Sequence, residues 1–310
     1  MMDKLIVIAG PTACGKSALA VGLAQRLNGE IVSADSMQVY KYMDIGTSKI
    51  TAREMGGVRH YLIDEVFPDE EFSVALFQEK ARIYINDIIS RGKIPILAGG
   101  TGFYINAVLY GTDFKEAIGE RVYREKLYEL AAEKGSDYIH GLLGDVDPDA
   151  AAAIHPNNLK RAIRALEFYD QTKTRISEHN LIERNRRMVY NAKVIILCME
   201  RRLLWDRIDR RADSMIKLGL VDEVRALLDR GYGRKLTSMQ GIGYKEMIRY
   251  LYGESTFEDA VAEIKKGTKH YAKRQGTWFR NRTAGHFINI SDNGAKICDV
   301  TDYIKREWEM

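Results

Sequence analysis

The chain has few of the residues that mark a secreted, zinc-bound or membrane protein. Its 310 residues include three cysteines, Cys14, Cys198 and Cys298, which lie far apart and lack metal-ligand spacing. We therefore expect neither a disulfide framework nor a zinc site, and a reducing compartment fits. No apolar run approaches the roughly 18 residues that a membrane-spanning helix needs, and the run at residues 5–9 is too short for a signal peptide. These absences predict a cytoplasmic protein without a membrane segment.

Proline and net charge are also low. Five prolines and the lack of low-complexity segments argue against disorder or a long linker. The formal charge is only +4, but basic residues concentrate in two segments. Residues 160–211 hold 14 Lys or Arg against 7 acids, and residues 261–282 hold 7 against a single acid. Two such segments favour a polyanionic partner, although solvated helix faces would have the same composition.

Short apolar runs alternate with helical periodicity in the first third of the chain. Such runs are typical of strands buried on both faces of a parallel sheet. Strands are predicted at residues 5–9, 30–33, 60–63 and 94–98, and helices at residues 17–27, 72–89 and 103–109. This alternation predicts an α/β fold with a parallel sheet flanked by helices.

The middle of the chain differs, because helical patterns continue there without a convincing strand. An apolar strand returns at residues 193–199, and residues 286–290 suggest a last one. We therefore predict a discontinuous α/β core, residues 1–112 and 192–310, with an all-helical insertion domain at residues 113–191.

The turn after the first strand has the pattern Gly-x4-Gly-Lys-Ser. This pattern is typical of a P-loop and predicts that the α/β core is of the P-loop type. Backbone N–H groups of such a loop cradle phosphate oxygens, and the following helix adds a favourable dipole. The lysine supplies a positive charge, and the serine hydroxyl can hold Mg²⁺. The predicted diphosphate site therefore comprises Gly10, Pro11, Thr12, Ala13, Cys14, Gly15, Lys16 and Ser17, with Ser17 as the metal ligand.

The placement of the acid argues against an ordinary nucleotide kinase. A P-loop NTPase normally has an apolar strand that ends in an Asp for Mg²⁺, whereas here residues 94–98 lead into Gly-Gly-Thr-Gly, which includes Thr101. The carboxylate stands instead after the second strand, at Asp35. We interpret Asp35 as a general base beside the phosphate site, with a Mg²⁺ ligand or a helix cap as alternatives. The carboxyl ends of parallel strands share one edge, so these turns should converge.

These motifs, in this order, resemble the tRNA dimethylallyltransferase (tRNA isopentenyltransferase) family over nearly the whole chain. The motifs that carry the resemblance lie at residues 10–17, 33–40, 43–49, 99–104, 155–167, 243–246 and 273–278. Cys14 departs from the family pattern, which more often has Ser or Gly there. The resemblance implies transfer of a dimethylallyl group from dimethylallyl diphosphate to the N6 amine of the adenosine 3′ to the anticodon, position 37 of tRNA. It also implies Mg²⁺ as cofactor, without consumption of ATP.

The resemblance further implies roles for particular residues. Asp35 would take the proton of the amine, and the Thr101 hydroxyl would orient Asp35 or the amine. The flipped adenosine would meet Asp35, Ser36, Met37, Gln38 and Thr101. The anticodon stem-loop would meet the insertion at Arg124, Lys160, Arg161, Ala162, Ile163 and Arg164. Arg225 would approach the diphosphate, and we expect the chain to act as a monomer.

Three other functions share part of this pattern. An adenylate isopentenyltransferase uses the same loop and base on a free nucleotide, but the helical insertion and basic tail favour tRNA. A small-molecule kinase would use Asp35 as a metal ligand. An RNA-binding module with a vestigial loop would bind RNA without catalysis.

Overall fold

The computed structural model describes residues 2–112, 114, 121–184, 186–290 and 297–308. The chain divides into two compact units. One, the α/β unit, comprises Met1–Leu109 and Met188–Met310, and the other, the helical unit, comprises Tyr110–Arg187.

Parallel strands form one sheet of six in the described part of the α/β unit, in the order β3-β2-β4-β1-β5-β6. Their bounds are β1 Lys4–Ala9, β2 Gly29–Ser33, β3 His60–Tyr61, β4 Ile94–Gly99, β5 Asn191–Met199 and β6 His286–Ile290. β1 is central and lies between β4 and β5, which explains why its residues 5–9 are all buried. The predicted α/β class is confirmed.

Helices connect these strands and cover the sheet. They are α1 Lys16–Leu27, α2 Ala52–Met55, α3 Val74–Ser90, α4 Gly102–Tyr110, α10 Arg201–Lys217, α11 Leu220–Asp229, α12 Tyr244–Leu251, α13 Phe257–Arg282 and α14 Ile297–Glu307. α1 starts directly after Gly15 and ends at Asn28, which adopts a left-handed conformation. The hydroxyls of Ser73 and Thr256 cap α3 and α13 by accepting backbone N–H groups.

Two apolar clusters stabilise the α/β unit. The first packs α1 against the sheet and α14, with Ile8, Leu23 and Ile304 fully buried. The second joins α10, α11, α12 and the start of α13 around Tyr244 and Met247.

The helical unit contains α5 Arg121–Lys134, α6 Ser136–Val146, α7 Pro148–Ala153, α8 Leu159–Thr172 and α9 Ile176–Arg184. Its own core includes Leu127, Ile139 and Leu143. Asp147 caps α7 by accepting the Ala150 N–H at 3.0 Å. Across the described part of the chain, no helix combines the length and apolarity that crossing a membrane requires.

Candidate active site

The turns after β1, β2 and β4 meet around one cavity of about 460 Å³ in the α/β unit. Lys16, Ser17, Asp35 and Gly100 all line it. The meeting of the turns follows from strand order, because β4 lies between β1 and β2 and all three run in the same direction. The expected convergence of these turns is therefore observed.

The P-loop folds tightly around its own lysine. Gly10 has a φ of 146°, and a Cβ there would lie 2.6 Å from the Leu197 carbonyl oxygen, so only glycine fits. Lys16 Nζ donates to the Pro11 carbonyl at 2.7 Å. Burial raises the pKa of the Cys14 thiol, which is 1% exposed. Cys14 therefore contributes packing and backbone rather than a reactive thiolate.

Arg211 of α10 is a second, partly buried cation beside the loop. Its guanidinium donates to the Ser48 hydroxyl at 2.6 Å, the Thr12 hydroxyl at 3.2 Å and the Thr47 carbonyl at 3.3 Å. Burial lowers the pKa values of both Lys16 and Arg211, and the nearby Asp35 charge opposes that effect. Two partly buried cations whose hydrogen bonds go to uncharged oxygens keep their charge available for an anion.

Arg225, in contrast, does not line this cavity. It lies on α11, is about half exposed, and pairs with Asp222 at 2.6 Å. Arg211 lines the cavity beside the P-loop, and the approach of Arg225 to the diphosphate stays a prediction. The helical period could have identified Arg211. It places this cation on the otherwise apolar face of α10 that carries Ile208, Ala212 and Met215.

Asp35 sits in a turn that its own carboxylate holds in place. Asp35 Oδ1 accepts the N–H groups of Met37 at 2.9 Å and Gln38 at 3.3 Å. Asp35 therefore stabilises a turn at residues 36–39 rather than capping a helix, and it also lines the cavity. The Thr101 hydroxyl accepts the Ser36 N–H at 3.2 Å, and a Cβ on Gly99 would lie 2.1 Å from the Ala34 carbonyl oxygen. The β2 and β4 turns are therefore in direct contact.

Helix α13 fastens these turns to the P-loop. Gln275 Oε1 accepts the Thr12 N–H, and its Nε2 donates to the Gly100 carbonyl, each at 2.9 Å. Burial, followed by the Asp35 charge, raises the pKa of Tyr271 to about 12, and Thr101 opposes this through a hydrogen bond. Tyr271 is therefore a neutral phenol. The sequence pattern did not reveal this bridging role of Gln275.

The aromatic residues that follow have packing roles. A Cβ on Gly102 would lie 2.2 Å from the Trp278 ring, and Trp278 meets Phe103 edge-to-face with ring centroids 6.1 Å apart. Phe279 is buried in the interior. These rings therefore pack against the protein, whereas the neighbouring Arg274 lines the cavity.

A further loop, residues 43–49, closes one side of the cavity. Glu223 accepts the backbone N–H groups of Asp44, Ile45 and Gly46 at 2.7–3.0 Å, and the Tyr244 hydroxyl at 2.7 Å. Gln38 Nε2 donates to carbonyls of the same loop at 3.3 and 3.4 Å. Gln38 therefore both lines the cavity and supports the loop.

The helical unit presents only some of the residues suggested for tRNA. Lys160, Arg161 and Arg164 are exposed on α8. Ala162 and Ile163 are 0% and 1% exposed in the core of the unit, so their side chains face inward rather than toward RNA, as the helical period requires. A contact of this segment with tRNA stays a prediction, and only its exposed side chains could make that contact.

Arg124 and Arg164 share a buried acid. Arg124 Nε donates to Glu167 at 2.6 Å, and Arg164 lies 3.8 Å from the same carboxylate. Glu167 is 3% exposed, whereas both arginines are about half exposed. Glu167 thus holds two cations at the surface of the helical unit.

The donor set at the loop fits Mg²⁺ that is held largely by substrate. The Ser17 hydroxyl and the Asp35 carboxylate line the same cavity, and hard oxygen donors suit this ion. No group of three or more His, Cys, Asp or Glu side chains suitable for a metal was found among the described residues. Mg²⁺ commonly takes one or two protein ligands and completes its shell with phosphates and water.

The fold and this cavity define a P-loop α/β protein in which an anion site faces a carboxylate instead of a nucleotide-kinase metal site. A sequence profile described as IPP transferase matches residues 38–282. The chain is 51% identical to a tRNA dimethylallyltransferase of Acetivibrio thermocellus over 93% of this chain and 92% of the relative. It is 48% identical to a tRNA dimethylallyltransferase of Lachnoclostridium phytofermentans over 98% of this chain and 97% of that relative.

Solved structures agree with these relatives. A full-length tRNA isopentenylpyrophosphate transferase of Bacillus halodurans matches with a TM-score of 0.75 and 45% identity, over 99% of this chain and 97% of that one. A eukaryotic dimethylallyltransferase acting on tRNA matches with a TM-score of 0.81 and 32% identity, over 94% and 75%. The chain belongs to the IPP transferase family, the family of the tRNA dimethylallyltransferases.

Proposed function

We propose that this chain moves the dimethylallyl group of dimethylallyl diphosphate to N6 of the adenosine at position 37 of tRNA and releases pyrophosphate. The observation that carries the proposal is the single cavity that joins Lys16 and Ser17 to Asp35. This shared lining supports a site where an anion lies next to a base, whereas β4 ends in Gly99 without the acid of a nucleotide kinase. The tRNA dimethylallyltransferase relatives support the same reaction.

The transfer requires one bond to form and one to break. The N6 lone pair attacks the allylic carbon, and the carbon–oxygen bond breaks with its electron pair leaving on pyrophosphate. Asp35 takes the N6 proton, because its carboxylate is held in the cavity by the N–H groups of Met37 and Gln38. A positioned base of this kind contributes about 10²- to 10⁴-fold.

Negative charge on the leaving pyrophosphate is stabilised by groups that are already in place. Lys16 and Arg211 are partly buried cations, and the loop supplies backbone N–H groups at the start of α1. We propose that Ser17 holds Mg²⁺ here, and the bound ion would add further charge to neutralise the diphosphate.

The adenosine must leave its stack to reach Asp35. We propose that Ser36, Met37 and Gln38, which line the cavity with Asp35, contact the flipped nucleotide. The exposed cations Lys160 and Arg161 of α8, with the half-exposed Arg124 and Arg164, would contact backbone phosphates of the anticodon stem-loop.

The test offers labelled dimethylallyl diphosphate with Mg²⁺ to either tRNA or AMP. Label should enter tRNA at the adenosine 3′ to the anticodon, and chelation of Mg²⁺ should abolish it. Labelling of AMP alone would identify an adenylate isopentenyltransferase. A parallel reaction with γ-labelled ATP tests the kinase alternative, and tRNA binding without product at any enzyme concentration would identify a binding module.

A further inference from the structure

Helices α10 and α13 lie side by side along the cavity, and two ion pairs fix their alignment. Lys269 pairs with Asp209 at 2.7 Å, and Lys265 pairs with Asp213 at 2.6 Å. The lower number on one helix meets the higher number on the other, so the helices run antiparallel. The sequence positions on both helices therefore indicate where a side chain lies along the cavity.

The P-loop marks one end of this pair of helices. Thr12 accepts from Arg211 of α10 through its hydroxyl and donates to Gln275 of α13 through its N–H. Lys16 lines the same part of the cavity. This end holds the cations Lys16 and Arg211 and, in the proposed function, receives the diphosphate.

Apolar side chains close the other end. Ala212 and Met215 follow Arg211 on the same face of α10, and both line the cavity. Met215 Cε lies 3.7 Å from the position of a Cβ on Gly243, so its tip contacts the chain just before α12. Ile242 also lines the cavity, and its Cγ2 atom lies 3.7 Å from the position that a Cβ on Gly267 of α13 would take. Met215 is 9% exposed, so most of its side chain packs against protein atoms.

We propose that Met215 limits the length of the prenyl donor by closing the apolar end of the cavity. The inference rests on the proposed function and deepens it. With the diphosphate at Lys16 and Arg211, the hydrocarbon extends along Ala212 toward Met215. Dimethylallyl fits before this side chain, and a longer chain meets it. Met215 is thus a specificity-determining residue, distinct from the groups that carry out the transfer.

The experiment compares donors of graded length on saturating tRNA. Wild type and Met215→Ala are assayed with dimethylallyl diphosphate, with 3-methylpent-2-enyl diphosphate, which is one methylene longer, and with geranyl diphosphate. One methylene in a fitted pocket is worth about 10- to 200-fold in kcat/KM. We expect Met215→Ala to raise the ratio of kcat/KM for the longer homologue over dimethylallyl diphosphate by about tenfold or more.

Met247→Ala is the matched control. Met247 is a buried methionine of the same apolar cluster, but it lies on α12 and does not line the cavity. It should lower the melting temperature as Met215→Ala does, without changing the donor ratio. If Met215→Ala does not fold, Met215→Val provides the same test with a smaller expected rise.

An unchanged donor ratio in the Met215 variant, or an equal rise in both variants, overturns the inference. A changed KM for tRNA with an unchanged donor ratio would assign this end of the cavity to the adenine, and also overturns it. A wild-type protein that transfers no dimethylallyl group to tRNA removes the proposed function itself, so the two failures are distinguishable.

Discussion

At the scale of single residues, Asp35 combines a structural and a chemical role that one substitution separates. Asp35→Asn keeps a carbonyl oxygen that can accept the N–H groups of Met37 and Gln38, so the turn should survive. The amide cannot take a proton at neutral pH, so we expect the single-turnover transfer rate to fall about 10²-fold or more. The affinity for tRNA, measured by filter binding, should stay nearly unchanged.

The control for Asp35 is Asp64→Asn. Asp64 pairs with Lys49 at 2.5 Å and does not line the cavity. Its replacement should leave the transfer rate close to that of wild type. An unchanged rate in Asp35→Asn would remove Asp35 from the role of base.

The two arginines considered for the diphosphate give a second residue-scale prediction. Arg211→Gln removes a partly buried guanidinium that contacts Thr12 and Ser48, and we expect kcat/KM for dimethylallyl diphosphate to fall about 10- to 100-fold, as loss of a charged hydrogen bond implies. Arg225→Gln should have little effect, because Arg225 pairs with Asp222 outside the cavity. Steady-state kinetics with varied donor measures both, and the reverse result would restore the role first suggested for Arg225.

At the scale of elements, helix α13 acts as a brace between two loops. Gln275→Ala removes hydrogen bonds to Thr12 and Gly100, so we expect a loss of about 1–3 kcal/mol in the free energy of unfolding. The KM for the donor should rise as well, because the P-loop N–H groups lose their alignment. Thr277→Ala, an exposed change on the same helix, is the control for helix stability. A stability loss without any change in donor KM would make Gln275 purely structural.

Helix α8 supports a prediction about salt dependence. Each phosphate contact that is lost should lower the slope of log affinity against log salt by about 0.7–0.9. Arg161→Ala should therefore weaken tRNA binding and flatten this slope. Lys173→Ala, which removes an exposed cation paired with Asp170 just after α8, should change neither. An unaltered slope in Arg161→Ala would argue against a phosphate contact.

The elements differ in how far the sequence reveals them. Strand β1 was predictable because a strand that is buried on both faces has a continuous apolar sequence. The turn after it was predictable because Gly10 has a positive φ, a conformation that glycine adopts without strain. The link between Thr12 and Gln275 spans 263 positions, and such a contact leaves no periodic signal. The role of Arg211 was missed because the many charged residues of α10 suggested a helix face exposed to solvent. In the structure, Arg211 lies on the otherwise apolar face of α10.

At the scale of the whole molecule, the chain leaves and re-enters the α/β unit at adjacent backbone positions. The Val189 N–H donates to the Leu109 carbonyl at 2.9 Å, so a short Gly/Ser linker can replace residues 110–187 with little closure cost. Each unit has its own apolar core. The shortened protein should therefore unfold cooperatively, as followed by circular dichroism.

The same replacement separates the two substrates. Because Lys16, Arg211 and Asp35 all belong to the α/β unit, the shortened protein should bind dimethylallyl diphosphate with nearly wild-type affinity in calorimetry. It should bind tRNA more weakly and with a smaller salt slope, since the cations of α8 are gone. The separate fragment of residues 110–187 should bind no donor. Full tRNA affinity in the shortened protein would show that the α/β unit alone recognises the nucleic acid, through the exposed Lys273 and Arg274 of α13 rather than through the helical unit.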